Sequence, residues 1–190
     1  MPKTFLIALI LLLIGSLSQA EVITANIVVK RCEIYRETVE RNTKYWDLDP
    51  DLVLAVMAQE SHCLRTIISM DGHHTIGLMQ VAEKPWTASE AELLNANTNI
   101  YYGMYILYSA INHPDENPEK SVARGLAAYN CGWTSLNANR CLPIGGWNYA
   151  KTVLFFWLPV VRGELTLNAY QDTMGETRQE APEETTRHAH

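Results

Sequence analysis

One run constrains this chain more than any other: Asp49-Pro50-Asp51-Leu52-Val53-Leu54-Ala55-Val56-Met57-Ala58-Gln59-Glu60-Ser61. It opens with a capping aspartate, a proline suited to the first helical turn and an acid that complements the positive helix end. Leu52, Val56 and Glu60 recur at steps of four, and Val53, Met57 and Glu60 at steps of four and three. Positions so spaced share a helix face, so a carboxylate falls in line with apolar side chains near the helix's C-terminal end. Desolvation and the negative helix end both disfavour its charged form. A carboxyl placed that way can hold a proton near neutral pH and donate it. The blander alternative is a solvated glutamate at a helix end, and other motifs must decide between the two.

The first twenty residues form a separate object. Met1 and Lys3 give a positive start, Phe5 to Ile14 is unbrokenly apolar, and Ser18-Gln19-Ala20 places small residues where a signal peptidase reads. Residues 1–20 are therefore expected to be a secretory signal cut before Glu21, with an uncleaved N-terminal anchor as the alternative. The apolar stretch is well short of the roughly 20 residues that span a bilayer, and Glu21 rather than Cys follows the site, which argues against a lipid anchor. Without Lys3 the chain keeps 14 basic and 21 acidic side chains, a formal charge of about −7. That excludes nucleic acid as an expected partner, because phosphate binding needs a basic face. It also offers no general attraction to an anionic polymer.

Cys32, Cys63, Cys131 and Cys141 make an even set, which in an exported chain suggests disulfides. If residues near 31–45 and 50–62 form a helical hairpin turning near Asp47, Cys32 and Cys63 lie opposite each other, leaving Cys131 and Cys141 to close a short loop. Four buried thiols are the alternative, and paired zinc-ligand spacing is missing. His62, His73 and His74 cluster in sequence, but neighbouring loop histidines are usually solvated. No metal and no cofactor is expected.

The remaining pattern is helical. Residues 22–29 are a strand-like lead-in or a helix start, and Cys32, Tyr35, Val39 and Trp46 hold a helical stripe. Ser89 and Glu92 form a possible capping box before Leu93-Leu94. Ile100, Gly103, Leu107 and Ile111 repeat at helical spacing, with Gly103 expected to permit close helix contact. Asn117-Pro118 is expected to start a helix that breaks at Asn130-Cys131-Gly132, and Gly145-Gly146 precedes a last helix from Trp147 to about Val161. Val153 to Leu158 reads as a buried or half-buried core segment, ended or kinked by Pro159, with a membrane- or partner-facing role as the alternative. No alternation is long enough to build a sheet. The expected fold class is all-α, mainly helical, with one domain over 21–165 and a polar, disordered tail over 166–190.

Taken together, several of these segments match a known pattern. Leu48-Asp49-Pro50, Ala58-Gln59-Glu60-Ser61, Gly77-Leu78-Met79-Gln80, Asn99-Ile100 with Gly103, and Ala127-Ala128-Tyr129-Asn130 resemble the catalytic domain of lytic transglycosylases of the soluble (Slt-type) family 1. The resemblance runs from about Cys32 to Val161. It implies a goose-type, lysozyme-like helical fold and peptidoglycan as substrate. It also implies roles. Glu60 matches the single catalytic acid/base, followed by Ser61. Ser69 stands nine residues on, where the family often has a serine that positions the reacting sugar. Met79 and Gln80 belong to the element lining the sugar cleft. Tyr129 and Asn130 face the carboxylate, with Tyr129 able to donate a hydrogen bond that orients Glu60. Tyr149 matches a tyrosine near the start of the last helix.

The implied reaction suits a lone carboxyl. Most glycosidases use two carboxylates, with exceptions in which the substrate assists itself. Here the substrate's acetamido oxygen would attack the anomeric carbon, and Glu60 would act twice. It first protonates the bond between N-acetylmuramic acid and N-acetylglucosamine, then takes the proton of the muramoyl 6-hydroxyl as a 1,6-anhydro ring closes. The sequence departs from the family in three places. The loop between Ser69 and Gly77 is about two residues longer and carries Asp71, His73 and His74; Gly145-Gly146 stands where a Glu-Thr pair is common; and Asn-Cys-Gly follows Tyr129 instead of Asn-Ala-Gly. A hydrolytic muramidase using Asp71 to place water, and a non-catalytic peptidoglycan-binding scaffold, remain the rival readings. A small exported member without wall-binding modules resembles those that open local gaps for secretion or conjugation machines, which makes such an apparatus the expected partner class and the periplasm or cell envelope the expected location.

Overall fold

The computed structural model describes residues 19–69, 74–84, 88–141 and 145–165. The proposed signal segment up to residue 18 and the tail from 166 lie outside them, as do Asp71 and His73.

Helix α1 (Gln19–Cys32) passes through a 3-10 turn (Glu33–Tyr35) into α2 (Arg36–Trp46). The lead-in over 22–29 is thus helical. Asp47 takes a left-handed conformation and its N–H closes α2 on the Thr43 carbonyl at 2.8 Å. Helix α3 (Pro50–Ser61) then starts as its sequence demands, with Asp49 Oδ1 accepting from the Asp51 N–H at 2.9 Å. The hairpin brings Cys32 and Cys63 into a disulfide with Cα atoms 5.2 Å apart. Arg36 reaches from α2 to Asp51 at 2.9 Å, and Arg162 reaches Asp49 at 2.6 Å. These ion pairs are partly exposed and fix orientation more than they add stability.

Helix α3 is more deeply placed than a one-sided apolar stripe implies. Every residue from Leu52 to Ala58 is buried, so all sides of its central turns are covered. The covering elements are α1, α2 and the C-terminal helical run. Each fully buried Leu, Val or Met there contributes about 1.5–3 kcal/mol of transfer free energy. Glu60 thus stands where the central helix leaves the core.

Beyond α3 the chain makes a small hairpin, β1 (Thr75–Ile76) and β2 (Val81–Ala82), paired antiparallel around Gly77–Gln80. No sheet was expected from the pattern, and two-residue strands leave no alternation to read. Helix α4 (Glu90–Leu93) opens with the expected capping box: Glu92 accepts from the Ser89 N–H at 3.0 Å and from its hydroxyl at 2.6 Å. Helix α5 (Ala96–Ile111) buries Ile100, Gly103, Leu107 and Ile111. The close approach at Gly103 is real but has a different partner: a Cβ there would collide with the Met79 side chain of the hairpin turn, not with another helix.

Helix α6 (Val122–Cys131) begins later than Asn117-Pro118 suggests, because Ser121 caps it by accepting from the Arg124 N–H at 3.3 Å. Asn117 is instead buried and braces the preceding loop, donating to the Ile111 carbonyl at 2.7 Å and accepting from the Ser121 N–H at 3.0 Å. A short α7 (Trp133–Asn137) follows. The last run joins α8 (Trp147–Thr152), a π-helical turn (Val153–Trp157) and α9 (Leu158–Val161). Pro159 neither ends this run nor stands at its close. It lacks an N–H and would crowd the carbonyl four residues back, and the wider turn before it, with the Leu158 N–H bonded to the Val153 carbonyl, accommodates it. Val153 and Trp157 are buried while Phe155 remains 43 % exposed, so the apolar segment is half-buried. Among the described residues no helix is long and apolar enough to cross a membrane.

The fold is therefore mainly helical, as the sequence led one to expect, with one small hairpin inserted between α3 and α4.

Candidate active site

Glu60 is half-buried at the last turn of α3, and its Oε1 accepts a hydrogen bond from the Tyr149 hydroxyl at 2.6 Å. Burial pushes the carboxyl up from its ordinary range to about 7, against the opposing pull of the Tyr149 hydrogen bond. Tyr149 is 5 % exposed and lies in the first turn of α8. Its ring stacks on Tyr129, with centroids 6.4 Å apart and planes 24° from parallel. Burial drives both phenols well above the usual tyrosine range, and the Glu60 charge adds to the effect on each. Both remain protonated donors at any physiological pH.

The orienting hydrogen bond thus comes from Tyr149, not from Tyr129 as the sequence suggested. Tyr129 donates instead to the Met79 carbonyl at 2.7 Å, tying α6 to the hairpin turn. The turn is held from its other side by Asn99, which is 1 % exposed. Asn99 accepts from the Met79 N–H at 2.8 Å and donates to the carbonyls of Ile76 at 2.7 Å and Leu93 at 2.9 Å. Gly77 has φ +78°, and a Cβ there would collide with the Asn99 amide. Only glycine meets both demands. Sequence reading had singled out Asn99 as part of a motif but gave it no role; an asparagine amid apolar helical positions was the available signal.

The other expected site residues divide by what they touch. Ser61 is buried, and its hydroxyl donates to the Leu78 carbonyl at 2.8 Å and reaches the Met57 carbonyl at 3.3 Å, so it joins α3 to the hairpin turn and does not open onto a cleft. The Met79 side chain is fully buried beside Gly103, and its backbone carbonyl meets Tyr129. Gln80, in a left-handed conformation at φ 49°, donates to the Gly77 carbonyl at 2.9 Å and accepts from Thr75 at 2.9 Å. Ser69 lies on the strand-like edge beside β1, its N–H bonded to the Thr75 carbonyl at 2.8 Å. Asn130 Oδ1 accepts from the Gly146 N–H at 2.9 Å, fixing the turn that starts α8. The Cys131–Cys141 disulfide packs on the same turn: a Cβ on Gly146 would lie 3.1 Å from Cys141 Sγ. On the far side of Glu60, Gln59 accepts from Trp157 Nε1 at 2.7 Å, locking α3 to the π-helical turn.

Of the three histidines, His74 pairs with Glu90 at 2.8 Å and the His62 ring lies against Trp157 at 5.9 Å, while His73 is outside the described residues. No group of three or more metal-ligating side chains occurs among the described residues.

One half-buried carboxyl, two stacked phenols and a backbone turn therefore converge from three helices and a hairpin. The sequence model of the transglycosylase SLT domain matches residues 37–140, more than half of the chain. The chain belongs to this family. As an SLT transglycosylase it cleaves glycosidic bonds, and its polymer is peptidoglycan, which makes it an exported or envelope protein. The matched span of this SLT domain covers Glu60, the hairpin turn, Asn99 and Tyr129, but ends before Tyr149. No curated protein matches the chain.

Proposed function

We propose that the protein is a lytic transglycosylase that cuts the β-1,4 bond between N-acetylmuramic acid and N-acetylglucosamine without water, and that Glu60 is its acid and base. The observation that carries this reading is the 2.6 Å hydrogen bond from Tyr149 to a half-buried carboxyl, whose burial pushes its pKa up to about 7. A group that donates and then accepts works best with a pKa near the working pH.

In the first step Tyr149 holds Oε1 as the carbonyl oxygen of a protonated Glu60, and the proton on the other oxygen goes to the leaving glycosidic oxygen. The bond from that oxygen to the muramoyl anomeric carbon breaks while the muramoyl acetamido oxygen bonds to the same carbon. Glu60 is now a carboxylate, which the same phenol stabilises. In the second step the muramoyl 6-hydroxyl attacks the anomeric carbon, the acetamido oxygen departs, and Glu60 takes the hydroxyl proton. The 1,6-anhydro ring closes and the enzyme returns to its starting form.

Tyr129, Met79, Gln80 and Asn130 act here by holding the walls of the site. Ser69, beside β1, would position the reacting sugar, and Ser61 supports the turn from beneath. Domain limits of 21–165, a cleaved signal over 1–20, a periplasmic location and service to a secretion or conjugation apparatus complete the proposal.

Product analysis of digested sacculi tests it. Wild type is expected to release anhydro-muropeptides, one water lighter than hydrolytic products, and Glu60→Gln none. Products bearing a reducing muramic acid end would instead establish a muramidase. Sacculi left intact by wild type would establish a binding protein.

A further inference from the structure

A second surface on this chain has the chemistry of a carbohydrate-binding site. It is a groove of about 630 Å³ between the C-terminal half of α2 and the first turn of α5. Arg41, Lys44 and Tyr45 line one side; Asn97, Thr98 and Tyr101 line the other. The groove lies by the Asp47 turn, whereas Glu60 lies at the opposite end of α3, a helix on the order of 18 Å long at 1.5 Å per residue.

Its chemistry differs from that of the chain as a whole. The full sequence has 21 acidic against 15 basic side chains. Two cations line this groove and no acid does. Neither Arg41 nor Lys44 forms an ion pair among the described residues. Arg41 donates to the Thr38 hydroxyl at 3.2 Å, and the Lys44 ammonium lies 4.8 Å from the centre of the Tyr45 ring. Both charges thus stay available to an anion.

The aromatic rings are held in place yet partly open. Tyr101 is 39 % exposed and packs on Trp46 at 5.5 Å and edge-to-face on Tyr45 at 6.4 Å. A fixed ring offers a flat apolar face to the C–H side of a sugar. Asn97 and Thr98 beside it supply an amide and a hydroxyl for acetamido and hydroxyl groups. Two cations add recognition of carboxylates.

We propose that this groove is a second binding site for N-acetylated glycan carrying peptide carboxylates, and that it anchors the enzyme to the polymer it cuts elsewhere. The inference rests on the transglycosylase reading for the identity of that polymer. It also supplies a local attraction that the acidic chain otherwise lacks.

Co-sedimentation with purified sacculi tests it, using Glu60→Gln so that the polymer survives. Adding Arg41→Ala with Lys44→Ala should weaken binding about ten-fold at low salt and flatten its salt dependence. Adding Tyr101→Ala instead should weaken binding while leaving the salt dependence intact. In the Glu60-intact protein the same changes should leave turnover of a short soluble muropeptide within about two-fold. Sacculus binding unchanged by the substitutions overturns the groove site alone. An equal loss on the short soluble substrate overturns it too, by making the groove part of the cleavage site. Wild type that neither cuts nor binds peptidoglycan removes the functional reading, and this inference with it.

Discussion

Two turns deliver the walls of the Glu60 site, and they are secured by different means. The hairpin turn Gly77–Gln80 is held from inside the core: one buried amide, Asn99, makes three hydrogen bonds to backbone groups, and Tyr129 adds a fourth contact from the other side. The Gly145–Gly146 turn, which starts the helix bearing Tyr149, is held by a hydrogen bond from Gly146 to Asn130 and by the Cys131–Cys141 disulfide packed against Gly146. The first support is dry and interior. The second is a covalent staple close to the surface. Damage to the first should therefore spread to the whole fold, while damage to the second should be felt mainly where Tyr149 meets Glu60.

Asn99→Ala is the harshest test of this contrast. It strips the Met79 N–H of its acceptor and two core carbonyls of a donor, and should cost about 3–5 kcal/mol in a urea denaturation, with activity lost alongside stability. An Asn99→Ala protein of nearly wild-type stability would show that the turn does not depend on its amide. Replacing Cys131 and Cys141 together by Ala should cost less, about 2–3 kcal/mol for so short a loop. Its kcat should nonetheless fall several-fold under conditions where the protein is fully folded, because α8 and Tyr149 lose their anchor. Equal kcat for the folded double variant and wild type would reduce the disulfide to a general stabiliser.

Glu60→Gln probes the site from the stability side. The folded pKa of about 7 lies above the unfolded value of 4.5, so the native state holds an extra proton between them. Stability from that group is complete below about pH 4.5 and lost as pH rises through 7. A neutral Gln escapes the loss. The variant should match wild type near pH 4 and exceed it by about 2 kcal/mol at pH 8, allowing for the partly open side chain. Equal stability at both pH values would mean that the carboxyl is well solvated.

Tyr149→Phe should have the subtlest effect on folding but a clear one on the pH profile. The hydrogen bond it removes lowers the Glu60 pKa. The alkaline fall in kcat/KM should therefore move to higher pH, with a lower maximum rate. Tyr129→Phe leaves the Glu60 hydrogen bond in place and should not move that limb.

What the sequence revealed and what it hid follow from the range of the interactions. Asp49 as a cap, the Ser89–Glu92 box and the helical placement of Glu60 depend on residues within a turn of one another, and they are readable from local spacing. The family pattern was equally legible, because its motifs are short and fall in order. Three features needed the third dimension. Tyr149 is 89 residues from Glu60, and nothing local distinguishes it from Tyr129 as the hydrogen-bond donor. The burial of Leu52 to Ala58 on all sides depends on helices from both ends of the chain closing over α3. Gly103 announced a close contact, but whether a helix or a turn would fill it was a matter of tertiary packing. Ser61 shows the same limit: its place beside Glu60 in the sequence suggested the cleft, while helix geometry turns its hydroxyl toward Leu78.

The account depends most on Glu60 being able to hold a proton at neutral pH. A carbon-13 NMR titration of the glutamate carboxyls, with Glu60 assigned by comparison with Glu60→Gln, measures this directly. The expected result is one carboxyl titrating near pH 7 and rising further in Tyr149→Phe. A Glu60 resonance that titrates near 4.5 and ignores the loss of Tyr149 would contradict the account.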